Sequence, residues 1–186
     1  AAGIGGGSYG DGDVKVSGNA IIANTESAGY GSGIGAGQGS LRNNISTVGK
    51  VTIEGNAKIE NAKSGYGGSG IGGGTIGIGN VIIRGNAQIG NATGGEEGAG
   101  IGGGAYGNGT VTVTDGDITA KATGNYGAGI GGGFGAIPKD TLIGGNGTVT
   151  ISGGTISRCK VGAGGGLYAT NGSTININSG TISGCE

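Results

Sequence analysis

Histidine, tryptophan and methionine are absent from this chain, proline occurs once, at Pro138, and cysteine twice. Few reactive side chains remain. A single proline excludes collagen and other polyproline helices, which need proline within a period of three. Charge of either sign is sparse: 10 basic and 11 acidic residues give a net charge of −1. They are scattered, so the electrostatic footprint of a nucleic-acid-binding protein is missing. No run approaches the ~18 consecutive apolar residues that a membrane span needs. There is no signal peptide either. The chain opens inside a repeat, as a processed or excised piece would, so that absence says little about destination.

What is present is glycine, 55 of 186 residues. In regular structure each glycine costs roughly 0.5–1 kcal/mol relative to alanine. So many persist only where the fold needs positive φ or backbone without side chains. A flexible Gly/Ser linker does not fit, because Ile and Val recur at fixed places. The stretch Gly127-Ala128-Gly129-Ile130-Gly131-Gly132-Gly133 recurs as Gly98-Ala99-Gly100-Ile101-Gly102-Gly103-Gly104, around Ile71 and Ile34, and at Ala2-Gly3-Ile4-Gly5-Gly6-Gly7. A worn copy is Gly162-Ala163-Gly164-Gly165-Gly166. The interval is about 30 residues, stretched to 37 between Ile34 and Ile71. A fixed period of this length marks a solenoid or a similar array.

After each copy comes a short alternating pattern such as Val51-Thr52-Ile53-Glu54, then Gly55-Asn56, then Ala57-Lys58-Ile59-Glu60. Alternation of period two means strands with one face buried, and Gly-Asn or Asp-Gly turns the chain between them. Antiparallel hairpins would not need like residues at like places every 30 or so residues. The expected fold is therefore all-β: one domain, residues 1–186, forming a right-handed parallel β-helix (β-solenoid). It has about six coils of roughly 30 residues with three short strands each. Val and Ile stack inside, and Asn19, Asn56 and Asn86 stack as an amide ladder at one corner. Asp11, Asn108, Asn146 and Asn171 form a second row of turn residues. The third strand of each coil is the Gly-Ile-Gly stretch, with Ile inward. Irregular stretches fall at Gln38 to Gly49 and at Phe134 to Gly147, which contains Pro138.

The repeated Gly-Ala-Gly-Ile-Gly-Gly-Gly, with Gly154-Thr155-Ile156-Ser157 and Gly180-Thr181-Ile182-Ser183, resembles the Gly-rich repeats of parallel β-helix proteins of bacterial cell surfaces, which are adhesin-like or carbohydrate-binding-like. The resemblance covers nearly the whole chain. It implies an extracellular or cell-surface setting and carries over no catalytic residue.

Several patterns invite chemistry. Gly-x-Gly-x-x-Gly occurs at Gly68, Gly98 and Gly127, but a dinucleotide site needs a following helix, and here another strand follows. Gly10-Asp11-Gly12-Asp13 is short of the six to eight oxygens that calcium wants and reads as turn chemistry, so no metal or cofactor is expected. Sugar hydrolysis needs two carboxylates on either side of one bond, and Asp115 with Asp117, or Glu54 with Glu60, form no clear facing pair. Cys159 and Cys185 sit at matching places, Thr-Ile-Ser-Arg-Cys and Thr-Ile-Ser-Gly-Cys, at stacking distance. A disulfide and a reduced stacked pair are both open.

The aromatics fall in two rows. Tyr30, Tyr66 and Tyr126 precede the central Ile of their repeats; Tyr9, Tyr106, Phe134 and Tyr168 follow the Gly stretch. With Ile inward, the neighbouring glycines are expected to point outward. The third face would then be a strip of bare backbone flanked by aromatic rows, suited to a polysaccharide. The competing expectation is that the Tyr rings only cover the corners of a slim core. The sequence thus points to a non-enzymatic extracellular structural or adhesive solenoid that binds glycan along this strip. An ice-binding protein and a polysaccharide lyase or hydrolase are the alternatives. The mixed outward row Lys15, Thr52, Ile82, Thr112, Thr150 and Asn176 speaks against the first. The strand inventory, opening on a third strand and ending on a second, leads one to expect head-to-tail stacking of the chain with itself.

Overall fold

The computed structural model describes residues 1–122, 126–135, 145–160, 167–168 and 173–184. In chain order the strands are β1 (Ile4–Gly5), β2 (Gly12–Val16), β3 (Ile21–Ser27), β4 (Ile34–Gly35), β5 (Thr47–Ile53), β6 (Lys58–Ser64), β7 (Ile71–Gly72), β8 (Gly77–Ile83), β9 (Gln88–Gly94), β10 (Ile101–Gly102), β11 (Gly109–Val113), β12 (Asp117–Ala122), β13 (Ile130–Gly131), β14 (Gly147–Lys160), β15 (Leu167–Tyr168) and β16 (Thr174–Ser183). These strands pair in parallel, like with like across successive repeats. Among the described residues there is no helix, and so none long and apolar enough to cross a membrane. The fold is all-β, parallel and solenoid-like.

One sheet runs β1-β4-β7-β10-β13-β15; the other runs β2-β5-β8-β11-β14-β12-β9-β6-β3, with β16 added on β14. Apolar ranks line the interior, among them Ile59, Ile89, Ile118 and Ile156 on the second strands. Val14, Val51, Val81, Val111, Val149 and Ile175 stand in register, and so do Val16, Ile53, Ile83, Val113 and Ile151, a rank whose last member, Ile177, is 54 % exposed. Ile34, Ile71, Ile101 and Ile130 are fully buried opposite them. Each such side chain contributes about 1.5–3 kcal/mol by leaving water. The outward row Lys15, Thr52, Ile82, Thr112, Thr150, Asn176 is in register as the alternation requires.

The amide ladder is present. Asn56 Nδ2 donates to Asn19 Oδ1 at 3.1 Å, and Asn86 Nδ2 to Asn56 Oδ1 at 3.2 Å. A second ladder, missed in the sequence, joins Asn61 to Asn24 at 2.9 Å and Asn91 to Asn61 at 3.1 Å. It explains why the second strand of each repeat outruns the short pattern read from Ala20-Ile21-Ile22. Pairing continues to Ser27, Ser64 and Gly94 because Asn24, Asn61 and Asn91 hold one side of it and Ala62 and Ala92 pack inward on the other.

Other differences are local. Gly153-Gly154 and Ser179-Gly180 do not separate two strands; β14 and β16 run through them with register shifts, Gly154 and Gly180 taking positive φ there. Among the described residues a sixth short strand is Leu167–Tyr168, paired with Ile130–Gly131. Leu167 takes the place of Ile because its side chain is the apolar one available there. Gly162 to Gly166, Pro138, Asn171 and Cys185 lie outside the described residues. Cys159 lies in β14, so no pairing with Cys185 is described.

Glu54 gathers two cations. Lys15 Nζ reaches its carboxylate at 2.6 Å and Arg84 holds its other oxygen. Hydrogen bonds first from Lys15 and then from Arg84 keep the Glu54 carboxyl below the ordinary glutamate range. A depressed carboxyl stabilises the fold above its unfolded pKa, and that contribution is lost as pH falls through the lower folded value. We expect Glu54→Gln to lower the melting temperature slightly at neutral pH. The gap to the parent should close on acidification below pH ~4, as followed by thermal melts across pH.

Candidate functional site

The site begins with what the Gly-Ile-Gly stretches do. Ser32 N–H donates to the Ala36 carbonyl at 3.0 Å, Ser69 to Gly73 at 2.8 Å and Ala99 to Gly103 at 3.0 Å. Each stretch is therefore the tip of a narrow loop whose two arms close on themselves, and Ser32 and Ser69 add hydroxyl bonds to the same carbonyls. The tip pushes Ile into the core. Further out, the arms meet across neighbouring repeats: Thr75 N–H donates to the Tyr30 carbonyl at 2.8 Å, Ala105 to Gly67 at 2.5 Å and Phe134 to Glu97 at 2.7 Å.

This geometry corrects the outward glycine floor. From Gly31 to Gly37, Gly67 to Thr75, Gly98 to Ala105 and Gly127 to Gly133 every residue is buried. The glycines are there because main chain packs on main chain. Gly72 has φ +129°, and a Cβ built on it would stand 2.2 Å from the Gly102 carbonyl oxygen. A Cβ on Gly79, at the mouth of the next strand, would stand 1.8 Å from that same oxygen. No ligand can lie on this backbone, since the arms cover it.

By closing, the arms bring the two aromatic rows together. Tyr30 and Tyr66 stack with ring centroids 5.4 Å apart and planes at 28°. Phe134 of the other row sits 5.0 Å from Tyr126 and 6.5 Å from Tyr106. These distances lie in the range of favourable aromatic pairs. Yet Tyr30, Tyr66 and Tyr126 remain 49 %, 57 % and 52 % exposed, so packing uses only part of each ring. Tyr9 is exposed at one end of the strip; Tyr168 is described by its backbone alone, in β15.

Tyr9, Ile76 and Tyr106 occupy the same place, five residues after the central Ile, with φ of 61°, 60° and 57°. Each is the third residue of a tight turn, closed for example by Gly77 N–H on the Gly74 carbonyl at 2.7 Å. Glycine is the usual occupant of such a position, and a bulky side chain there costs on the order of 1 kcal/mol. Three repeats keep one nonetheless.

Between the rows lies an open groove of about 320 Å³, lined by Tyr30, Tyr66, Thr75, Glu96, Glu97 and Tyr106 among others. Glu96 and Glu97 stand where neighbouring repeats carry Tyr66 and Tyr126. Lys15, Lys50, Lys58, Lys63 and Arg84 all pair with other carboxylates, and neither Glu96 nor Glu97 has a cationic partner among the described residues. Burial, and secondly the Glu97 charge, raise the Tyr106 phenol above its ordinary value, so it stays neutral and able to donate. Thr75 Oγ1 is buried without a hydrogen-bond partner among the described residues. Such a group costs roughly 1–3 kcal/mol if left unpaired.

The structure thus brings together Tyr30, Tyr66, Tyr106, Tyr126 and Phe134 from the sequence-derived set and adds Thr75, Glu96 and Glu97. The signal for the two carboxylates was available, as a break in the Tyr row. Thr75 carried no signal, because only the closed arms show its hydroxyl stranded. Of the other candidates, Asp11 accepts from Val48 N–H at 2.7 Å, Asp13 pairs with Lys50 at 3.2 Å, and Glu60 pairs with Lys58 at 2.9 Å. Asp115 caps the Gly116 N–H at 2.8 Å. No protein-family model, no curated protein and no solved structure matches this chain.

Proposed function

We propose that this chain is a non-enzymatic extracellular β-solenoid with a structural or adhesive role, and that it binds polysaccharide along the joined aromatic rows. In this reading the fold is a right-handed parallel β-helix of about six coils, each with three strands. The observation that carries the function is the half-exposed stacked pair Tyr30–Tyr66, continued beyond the groove by Tyr126 and Phe134. The C–H face of a pyranose ring is apolar and packs on an aromatic face, while its rim hydroxyls need polar partners such as Glu96 and Glu97. A line of rings across successive repeats suits a chain of sugars.

Replacing Tyr66 and Tyr126 by Ala together should abolish most retention on any insoluble polysaccharide that the parent binds, without lowering the melting temperature by more than a few degrees. Affinity electrophoresis and pull-down on a glycan panel measure it. Undiminished retention would leave the Tyr rows as packing only.

Self-association belongs to the same reading. Among the described residues β1 and β3 pair on one side only, and Ile4 and Ile21 on them are 36 % and 67 % exposed. Open strand edges accept further strands. Electron microscopy should show end-to-end stacks; dispersed monomers at high concentration would remove the fibre from the proposal.

A further inference from the structure

We infer that the groove between Tyr66 and Tyr106 selects a protonated amine carried on a sugar ring, that is, a glucosamine-type polysaccharide over its neutral or N-acetylated counterparts. The inference rests on the glycan reading and adds the charge of the sugar.

Three independent features converge on one place. Glu96 and Glu97 are carboxylates without a cationic partner, in a protein whose Lys15, Lys50, Lys58, Lys63 and Arg84 are all paired. They face a groove walled by Tyr30, Tyr66 and Tyr106. A cation over an aromatic face, with a carboxylate beside it, is held by both, and partial desolvation strengthens each attraction. Neither carboxylate would hold a neutral sugar with such preference. The third feature is Thr75, on the groove lining, whose hydroxyl oxygen is the one buried side-chain polar atom without a partner among the described residues. An unsatisfied polar group in a native wall calls for an explanation, and a polar occupant of the groove supplies one.

The flanking surface argues for a sugar chain and against a basic peptide. Tyr30 and Tyr66 present stacked faces beside the carboxylates on one side, and Tyr126 with Phe134 continues the aromatic row on the other. A charged centre between apolar plates fits a ring that carries an amine at its edge and repeats in line with further rings.

Titration calorimetry at physiological salt, at a pH where the amine is protonated, tests this with three hexamers: glucosamine, N-acetylglucosamine and glucose. The glucosamine hexamer should bind at least about tenfold tighter than either uncharged hexamer. The double variant Glu96→Gln, Glu97→Gln should bring the glucosamine hexamer's affinity down to that of the uncharged hexamers. Tyr66→Ala should weaken all binding alike. Melting curves of the variants matching the parent's keep the comparison valid, and Glu97→Asp, which retains the charge, should preserve a preference.

Equal affinity for all three hexamers overturns the amine inference and leaves the glycan reading standing. Binding of none of them, nor of any member of a broad glycan panel, removes both. Hexalysine bound as tightly as the glucosamine hexamer, and indifferent to Tyr66→Ala, overturns it in favour of plain charge attraction to a basic peptide.

Discussion

Replacing Ile101 by Asp should prevent the chain from folding cooperatively. Ile101 is fully buried, pairs in register with Ile71 and Ile130, and faces the valine and isoleucine ranks of the larger sheet. A carboxylate there meets no cation and no free donor, because the N–H groups around it are spent on interstrand bonds; its own N–H already donates to the Gly129 carbonyl at 3.0 Å. Burying such a group costs several kcal/mol, or forces protonation at a similar cost. Stabilities of small domains are only about 5–15 kcal/mol in total. Thr112→Asp, on the outward row, should cost under about 1 kcal/mol. Urea unfolding followed by circular dichroism separates the two. Equal losses would show that the inward and outward ranks are misassigned.

The second large effect is expected from a single methyl group. Gly72→Ala keeps a small residue but must fit φ +129° and a Cβ lying 2.2 Å from the Gly102 carbonyl oxygen. The neighbour is backbone, bonded to the next repeat, and cannot swing aside. Strain at a disallowed φ and overpacking of a rigid contact each cost roughly 1–3 kcal/mol, so a loss of about 3 kcal/mol or more is expected. Gly29→Ala is the control: nothing lies within 4 Å of a Cβ built there and its φ is not positive. It should change stability by less than about 0.5 kcal/mol. A Gly72→Ala protein as stable as the Gly29→Ala protein would mean that the loop tips do not pack backbone on backbone.

These two positions also show where the sequence speaks and where it does not. Ile101 was legible. Its β-branched side chain recurs at one place per repeat, and only a stacked core rewards that. The outward row from Lys15 to Asn176 was legible for the same reason, read through period two. Gly72 was legible as glycine and misread as surface. A residue without a side chain carries no pattern of polarity, so nothing in the sequence says whether its bare backbone faces water or another backbone. The answer came from the Ser32–Ala36 and Tyr30–Thr75 main-chain bonds, which depend on the loop as a whole. The aromatic rows were legible as rows, and their meeting was not, because Tyr126 and Phe134 lie on arms whose closure no local spacing encodes. Glu96 and Glu97 were visible only as a departure from their neighbours.

The common register has a consequence for how such a surface changes over time. Val51, Val81 and Val111 fix the height of their layers, so an outward residue can be exchanged without moving the frame beneath it. Each layer touches only its neighbours, and the energetic effect of an exchange stays local. The exposed face therefore behaves as a page ruled at ~4.8 Å per line. One line reads tyrosine at Tyr66, the next reads Glu96-Glu97, and a later one reads tyrosine again at Tyr126. A chain built in this way can be rewritten one line at a time, acquiring a new specificity while its scaffold is inherited unaltered.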